Sequence, residues 1–469
     1  MSNILLDAGQ WAQEQFANAL LGDARRSRRL VRVATALARA KSGTLAKALK
    51  SWADLKAAYR LVDLPDATRE AVQEPHLAGV RAALRGAGVY LIIEDTTDID
   101  LTHRRDLEGV MGWIGDGRGI GFWLHTSLAV RVEGYEPEGR PRVGIVGLLA
   151  QQAWQRTHPP RRKTETRAQR AHRPGRESDR WAKVFEGQRA PAEATWIYVA
   201  DRDGDIYETF ERCMQAGVRF VVRAKHPRAL HEARGNIFDA VAAAAPMGSY
   251  EISLRARPGM AARQAGVEVR RATVEVRGPW RPGGAHGPLE LTVLEAREVE
   301  PPPGRKAPIH WRLLTDLPCE DWEAVRQAVG CYERRWLIEE YHKALKSGLG
   351  MEQTQLGTPE RILTLCGVLS VVACRLLELK CRGQMEPDKP IDPSGISPTA
   401  LAVLTAHYGE PPSGWTWRVL MVSIARLGGF LARKSDGPPG WQTLWRGMQA
   451  LVTLEQGFLL AKREKPRCG

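Results

Sequence analysis

The stretch Tyr332-Glu333-Arg334-Arg335-Trp336-Leu337-Ile338-Glu339-Glu340-Tyr341-His342-Lys343-Ala344-Leu345-Lys346 is the most informative feature of this 469-residue chain. Its spacing predicts one helix. At about 100° per residue, Tyr332, Arg335, Glu339 and Lys346 fall within an arc of roughly 60°, while Leu337, Tyr341 and Leu345 share another face. A hydroxyl, a guanidinium, a carboxylate and an ammonium on one stripe suit a place where a metal ion meets a phosphate backbone. The plainer reading is a solvated helix laced with ion pairs.

Two further acids stand where catalytic acids tend to stand. Asp95 follows the apolar, β-branched run Gly88-Val89-Tyr90-Leu91-Ile92-Ile93, and Asp201 follows Thr195-Trp196-Ile197-Tyr198-Val199-Ala200. Both runs read as buried strands. In an open α/β sheet, ligands gather at the carboxyl ends of strands. Three carboxylates converging there repel one another unless they hold a cation, and oxygen-only donors select a hard ion such as Mg²⁺. Two such ions roughly 3.5–4 Å apart can activate a water or a 3′-hydroxyl and stabilise the leaving oxygen of an in-line displacement at phosphorus. Taken singly, each acid also reads as a helix cap or turn residue. Glu94, Asp98, Asp100 and Glu340 are further nearby acids and read as non-ligands.

The chain must position these groups, and its length allows two to four domains. Lys and Arg number 68 against 54 Asp and Glu, a formal charge of +14 that favours a polyanionic partner or an acidic surface. Residues 1 to about 75 read as all-helical. Asp23 is an N-cap candidate for a helix from Ala24, with Leu30, Val33, Ala34, Leu37 and Ala38 on its buried stripe and Arg25, Arg28, Arg29, Arg32 and Arg39 projecting away. Between Ala24 and Ala53 there are nine Lys or Arg and no acid, a phosphate-binding footprint. A second helix is expected to bury Leu45, Leu49, Trp52, Leu55 and Tyr59.

After the first strand, Phe122 to Val132 and Arg142 to Ala150 suggest a three-strand meander. Residues 154 to 180 are Arg-rich and read as a basic loop, either a solvated excursion or an extra DNA contact. Ser178 to Gln188 reads as a helix. Asp201 is followed by a helix from Ile206 to about Gln215 and a strand Arg219 to Arg223. Residues 229 to 310 read as an inserted sheet closed by Pro301-Pro302-Pro303-Gly304. Trp311 to Thr315 returns to a strand. Helices are expected over Ile362–Lys380, Trp415–Lys434 and Trp441–Lys462, with residues 382–398 as a link.

The seven cysteines show no C-x-x-C spacing, which argues against zinc and for reduced thiols in a cytosol. The start, with an early Asp7, does not read as a signal peptide. The uncharged apolar stretch Ile362–Cys374 falls short of the roughly 17–25 residues that span a bilayer. A soluble, cytoplasmic, nucleoid-associated protein is expected.

At this point the sequence resembles the cut-and-paste transposases of bacterial insertion sequences with Asp-Asp-Glu catalytic acids, within them the insertion-sequence-four group and most closely the transposon-five type. The residues that carry the resemblance are Asp95-Thr96-Thr97, Asp201-Arg202 with Asp205, and Tyr332, Arg335, Glu339 and Lys346 at their spacing. Further echoes are Leu21-Gly22-Asp23-x-Arg25-Arg26, Arg219 to Arg228, Trp311 before Leu313-Leu314-Thr315, and Ile424 to Phe430. The resemblance implies an α/β protein with an RNase H-like catalytic core over residues 76–369, a β-rich insertion at about 229–310, an all-helical N-terminal DNA-binding domain over 1–75 and a helical dimerisation region over 370–469. It implies that Asp95, Asp201 and Glu339 hold two Mg²⁺ ions, replaceable by Mn²⁺. Tyr332, Arg335 and Lys346 would grip phosphates, Trp311 would receive a flipped base, Trp336 would contact the distorted end, and Arg223 and Lys225 would add backbone contacts. Arg25, Arg28, Arg29 and Arg32 would meet the transposon end. The partners implied are double-stranded DNA, as terminal repeats and target, and a second copy of the chain. The reaction implied is nicking, hairpin formation and joining of a 3′-hydroxyl to target DNA. For Trp311 alone, plain core packing is the reading the residues give. Two other classes stay open: an inactive end binder or regulator, and an RNase H-like nuclease that only hydrolyses.

Overall fold

The computed structural model describes residues 8–40, 44–49, 51–157, 176–254, 263–281, 284–301, 308–392, 396–433 and 436–463. Most of the Arg-rich loop (158–175), part of the Pro-rich segment (302–307) and Cys468 lie outside them.

The chain opens with five helices: α1 (Ala8–Phe16), α2 (Ala24–Ala40), α3 (Leu45–Ala48), α4 (Trp52–Val62) and α5 (Arg69–Ala83). Leu30, Val33, Ala34 and Leu37 of α2 are buried, as their helical spacing requires. The single helix expected over Leu45–Tyr59 is instead two. Leu49 is extended, and Ser51 caps a new helix by accepting from Asp54 N. That restart turns Trp52 outward, 72% exposed, rather than into the core.

Four strands follow: β1 (Gly88–Asp100), β2 (Gly112–Ile114), β3 (Gly119–Tyr135) and β4 (Pro141–Trp154). β1 and β4 flank β3 in an antiparallel meander. β5 (Ala194–Ala200) then pairs parallel with β1, α6 (Tyr207–Gln215) crosses over, and β6 (Arg219–Arg223) pairs parallel with β5. Leu91 and Ile93 are buried in one core cluster and Tyr90 and Ile92 in another, so β1 is covered on both faces. An unbroken apolar run is what such a strand needs.

The expected helix over Ser178–Gln188 is absent. Two short 3₁₀ turns, Glu177–Arg180 and Lys183–Phe185, stand there. Trp181 and Phe185 are buried on the sheet, and Ala182 takes a left-handed conformation to donate its N–H to Glu94. Tertiary contacts override local helical preference here.

The insertion holds α7 (Ile237–Ala243), β7 (Pro246–Leu254), β8 (Arg263–Val276), a small ribbon of β9 (Trp280–Arg281) and β10 (Gly284–Ala285), and β11 (Leu289–Glu298). It does not form a sheet of its own, as the sequence suggested. β11 and β8 pair outward from β12 (His310–Thr315), which pairs antiparallel with β6. The sheet therefore runs β2-β3-β1-β5-β6-β12-β11-β8-β7, with β4 on the remaining length of β3's outer edge.

The reactive stretch is broken. α8 (Trp322–Glu333) ends at Arg334, α9 (Trp336–Lys343) restarts, and Ala344–Gly348 closes in a π turn. Across the break the backbone tightens to i→i−3 bonds, from Arg335 N to Tyr332 O (3.0 Å) and from Ile338 N to Arg335 O (3.1 Å). The cause is Arg334, buried and tied to Pro141 O at 2.5 Å and to Glu136 at 2.7 Å on the β3–β4 hairpin. Leu337, Tyr341 and Leu345 are buried together as expected.

α10 (Pro359–Met385), capped by Thr358, is long and apolar enough to cross a membrane, yet 83% of its apolar window is buried inside the protein. It packs on α5 and β4 as the central helix of the core and runs through the expected 369/370 boundary. α11 (Pro398–Tyr408), which the sequence reading left out, α12 (Trp417–Leu427) and α13 (Trp441–Arg463) follow.

Arg334→Leu should cost about 2 kcal/mol, because it orphans a buried carbonyl and leaves Glu136 with Arg140 alone. Urea denaturation measures this; a cost near zero would show that the bend does not depend on the guanidinium.

Candidate active site and DNA-binding face

β1 and β5 run parallel in register until Glu94 meets Ala200, so the next residues along the two strands are Asp95 and Asp201. β1 itself continues to Asp100, paired only with β3. Asp95 thus lies where its parallel neighbour stops, not at its own strand's end. Asp201 begins a 3₁₀ turn over Arg202–Gly204, its Oδ1 accepting from Asp203 N at 2.8 Å. A Cβ at Gly204 would meet that of Ala200 at 2.5 Å, so the close turn needs glycine there.

The third acid arrives on α9. Arg335 pairs with Glu339 one turn on and stands 3.6 Å from Asp95 Oδ2, spanning the two carboxylates. Thr96 N donates to Asp95 Oδ1 at 2.7 Å. Burial, then the charge of Asp201, pushes the Asp95 carboxyl up to about 7; Arg335 opposes this and Glu339 adds to it. The three acids therefore share one electrostatic neighbourhood. They do not close into a finished cage: among the described residues, no three His, Cys, Asp or Glu side chains are grouped so as to hold a metal ion. The donor chemistry nonetheless fits a hard divalent cation. All three groups are carboxylates, and their mutual repulsion at Asp95 is what such an ion relieves.

Glu94, on the opposite face of β1, is buried and structural. Its carboxylate accepts from Ser127 Oγ (2.5 Å) and Ala182 N (2.8 Å), and His125 Nε2 lies 3.3 Å away. Burial alone would raise it, but His125, Ser127 and Ala182 together hold it below the usual range. His125 Nδ1 reaches Thr96 Oγ1 at 2.8 Å, which braces the strand beside Asp95.

Two of the cations expected on phosphates near the acids, Lys346 and Lys225, are held by acids of the chain. Lys346 bonds Asp98 (2.9 Å) and Glu352 (3.2 Å), and Lys225 bonds Asp203 (2.8 Å). Asp203 is thereby engaged with Lys225. Asp205 is buried and anchors Lys225 N, His226 N and Arg228. Arg223 donates to His310 O. Tyr332 is buried, with its ring 5.5 Å from the half-buried Trp311. Trp336 is 42% exposed and donates to Glu340, with Lys343 over its ring. Tyr332, Arg335, Glu339 and Lys346 therefore do not form one free stripe, because the break at Arg334 and the π turn re-aim them.

At the N-terminal helices the cations divide. Arg28 and Arg32 are exposed on α2 and have no ion-pair partner among the described residues; Arg25 pairs with Asp23, Arg26 with Asp66 and Arg29 with Asp54. α4 presents a row that the sequence reading missed. Trp52, Lys56 and Arg60 are exposed at i, i+4 and i+8, and neither cation is paired among the described residues. That spacing was the available signal; assigning Trp52 to the core hid it.

Residues 8–67 match the family model described as Transposase DNA-binding. The match covers the helices that carry both basic rows. It supports DNA as the partner and a transposase as the class of protein.

The raised Asp95 has a sign that can be checked. The unfolded chain releases this proton near 3.8 and the folded one near 7, so stability present below about pH 4 is lost as pH rises to about 7. Asp95→Asn should remove that loss and stabilise the metal-free protein at pH 8 by roughly 1–3 kcal/mol. Denaturation at pH 4 and pH 8 measures it; no gain at pH 8 would contradict the crowded-acid geometry.

Proposed function

We propose that this protein is a cut-and-paste DNA transposase: it binds the terminal repeats of a mobile element, cleaves there by metal-dependent phosphoryl transfer, and joins the freed 3′-hydroxyl to target DNA. The observation that carries the reading is the parallel register that seats Asp95 beside Asp201, with Glu339 delivered to the same place through Arg335. The antiparallel β4-β3-β1 meander continued by parallel β5 and β6 is the order expected of an RNase H-like core.

In this reading Asp95, Asp201 and Glu339 hold two Mg²⁺ ions, or Mn²⁺, which when bound supply the activated oxygen nucleophile and stabilise the leaving oxygen. The chain's own side chains do the rest. Arg28, Arg32, Lys56 and Arg60 draw the duplex in by charge, and Trp52 adds an apolar contact that salt does not screen. Arg335, Lys346 and Lys225 face the scissile region, where phosphate charge accumulates. No protein nucleophile is needed, because the DNA brings its own hydroxyl. The cysteines among the described residues are all buried, with Cys331 pushed up to about 12 and Cys366 to about 11 by burial, so none offers a thiolate. α13 leaves Leu454, Leu459 and Leu460 exposed, which fits pairing with a second copy.

An end binder that does not cut shares the N-terminal match, so activity must be tested directly. Supercoiled plasmid bearing the element's ends should be nicked and joined by the wild type in Mg²⁺, and Asp95→Ala, Asp201→Ala and Glu339→Ala should each lose cleavage by at least about a thousandfold while keeping end binding. Retained nicking by any of them removes that acid from the site, and hydrolysis without strand joining favours the nuclease. Arg28→Ala with Arg32→Ala should lower the salt slope of end binding by about two, while Trp52→Ala should weaken binding without changing the slope. A flat salt response in the wild type would contradict the basic face.

A further inference from the structure

Three cations near the three acids differ from the exposed, unpaired cations of α2 and α4. Arg335, Lys346 and Lys225 are each engaged by a carboxylate of the chain, whereas Arg28, Arg32, Lys56 and Arg60 have no ion-pair partner among the described residues. Arg335 is the most confined of them. Its side chain is 16% exposed, one nitrogen is on Glu339 and another lies 3.6 Å from Asp95. Its guanidinium therefore stands among the carboxylates that a metal ion would share. A divalent cation and a guanidinium cannot both neutralise the same two oxygens at full strength, so their occupancies compete.

We infer that metal loading and phosphate capture are one coupled exchange: Arg335 neutralises Asp95 and Glu339 in the free protein and leaves them when a divalent cation arrives, which frees its guanidinium for a DNA phosphate. This rests on the proposed reading of the three acids and adds how that site is regulated. The exchange is an exchange of partners, with no bond made or broken covalently. Arg335 is the N-cap residue of α9 at the tightened break, with an i→i−3 bond on each side of it, so its side chain can be re-aimed without unwinding the helix behind it. Lys346 shows the same logic at the other end of the stretch, where Asp98 and Glu352 hold it until a stronger anion competes. In the free protein Arg335, Lys346 and Lys225 are thus neutralised by the chain's own carboxylates, while Arg28, Arg32, Lys56 and Arg60 on α2 and α4 carry no ion pair among the described residues.

The test is Mn²⁺ titration of the full-length protein without DNA, read by calorimetry and by the electron-spin signal of free Mn²⁺, on wild type, Arg335→Gln, Arg335→Lys and Asp95→Asn. Removing the resident cation should tighten Mn²⁺ binding in Arg335→Gln by about tenfold, and Arg335→Lys, which cannot span two carboxylates, should fall between it and wild type. A structural brace alone predicts the opposite, since loosening the acids would weaken Mn²⁺. Equal or weaker binding by Arg335→Gln overturns the exchange; if that variant does not fold, Arg335→Lys binding no tighter than wild type overturns it. Asp95→Asn should lose Mn²⁺ uptake, and undiminished uptake there would instead overturn the reading of the acid site itself.

Discussion

Two like charges forced together at neighbouring strand positions are the constraint on which the rest depends. The register of β1 with β5 brings Asp95 beside Asp201, on strands whose preceding residues are buried. A protein relieves such crowding by protonation, by a resident cation or by a bound ion. Here the first two are visible in the raised Asp95 and in the Arg335 fork, and the third is the chemistry that the arrangement invites.

The surrounding architecture keeps that crowding in place. Glu94, one residue before Asp95, is fully buried and satisfied by Ser127, Ala182 and His125, so the strand cannot slip. Tyr341, two residues after Glu339, shares a buried hydrogen-bond network with Gln151, and Gln151 is in turn bonded by Gln73 and Arg69 of α5. That network joins the helix bearing the third acid to the sheet and to the helix next to the DNA-binding match. Packing fixes the strand of Asp95 and the helix of Glu339, and a close turn fixes Asp201, as precise positioning demands.

Much of this was legible in the sequence because it is local. The apolar runs before Asp95 and Asp201 declare strands buried on both faces, and the acid-free basic stretch after Ala24 declares a phosphate-binding surface. What the sequence hid is tertiary. The break at Arg334 arises from a hydrogen bond to Pro141, far away in the chain, and helical periodicity has no term for it. The same holds for Lys346, whose partner Asp98 stands on β1. Trp52 was placed in the core because it fits the apolar spacing of a single long helix; the cap at Ser51 resets the phase and turns the indole outward. The insertion read as a separate sheet because alternation along a strand does not say which edge it joins, and the free edge of β12 was there to be extended.

The central claim is that three distant acids share a divalent cation. Diffraction at the manganese absorption edge from crystals of the full-length protein grown in Mn²⁺ tests it most directly. The account predicts anomalous density bounded by the carboxylates of Asp95, Asp201 and Glu339, with Arg335 withdrawn from Asp95. Saturating Mn²⁺ that leaves no density there, with Arg335 still spanning Asp95 and Glu339, would contradict it.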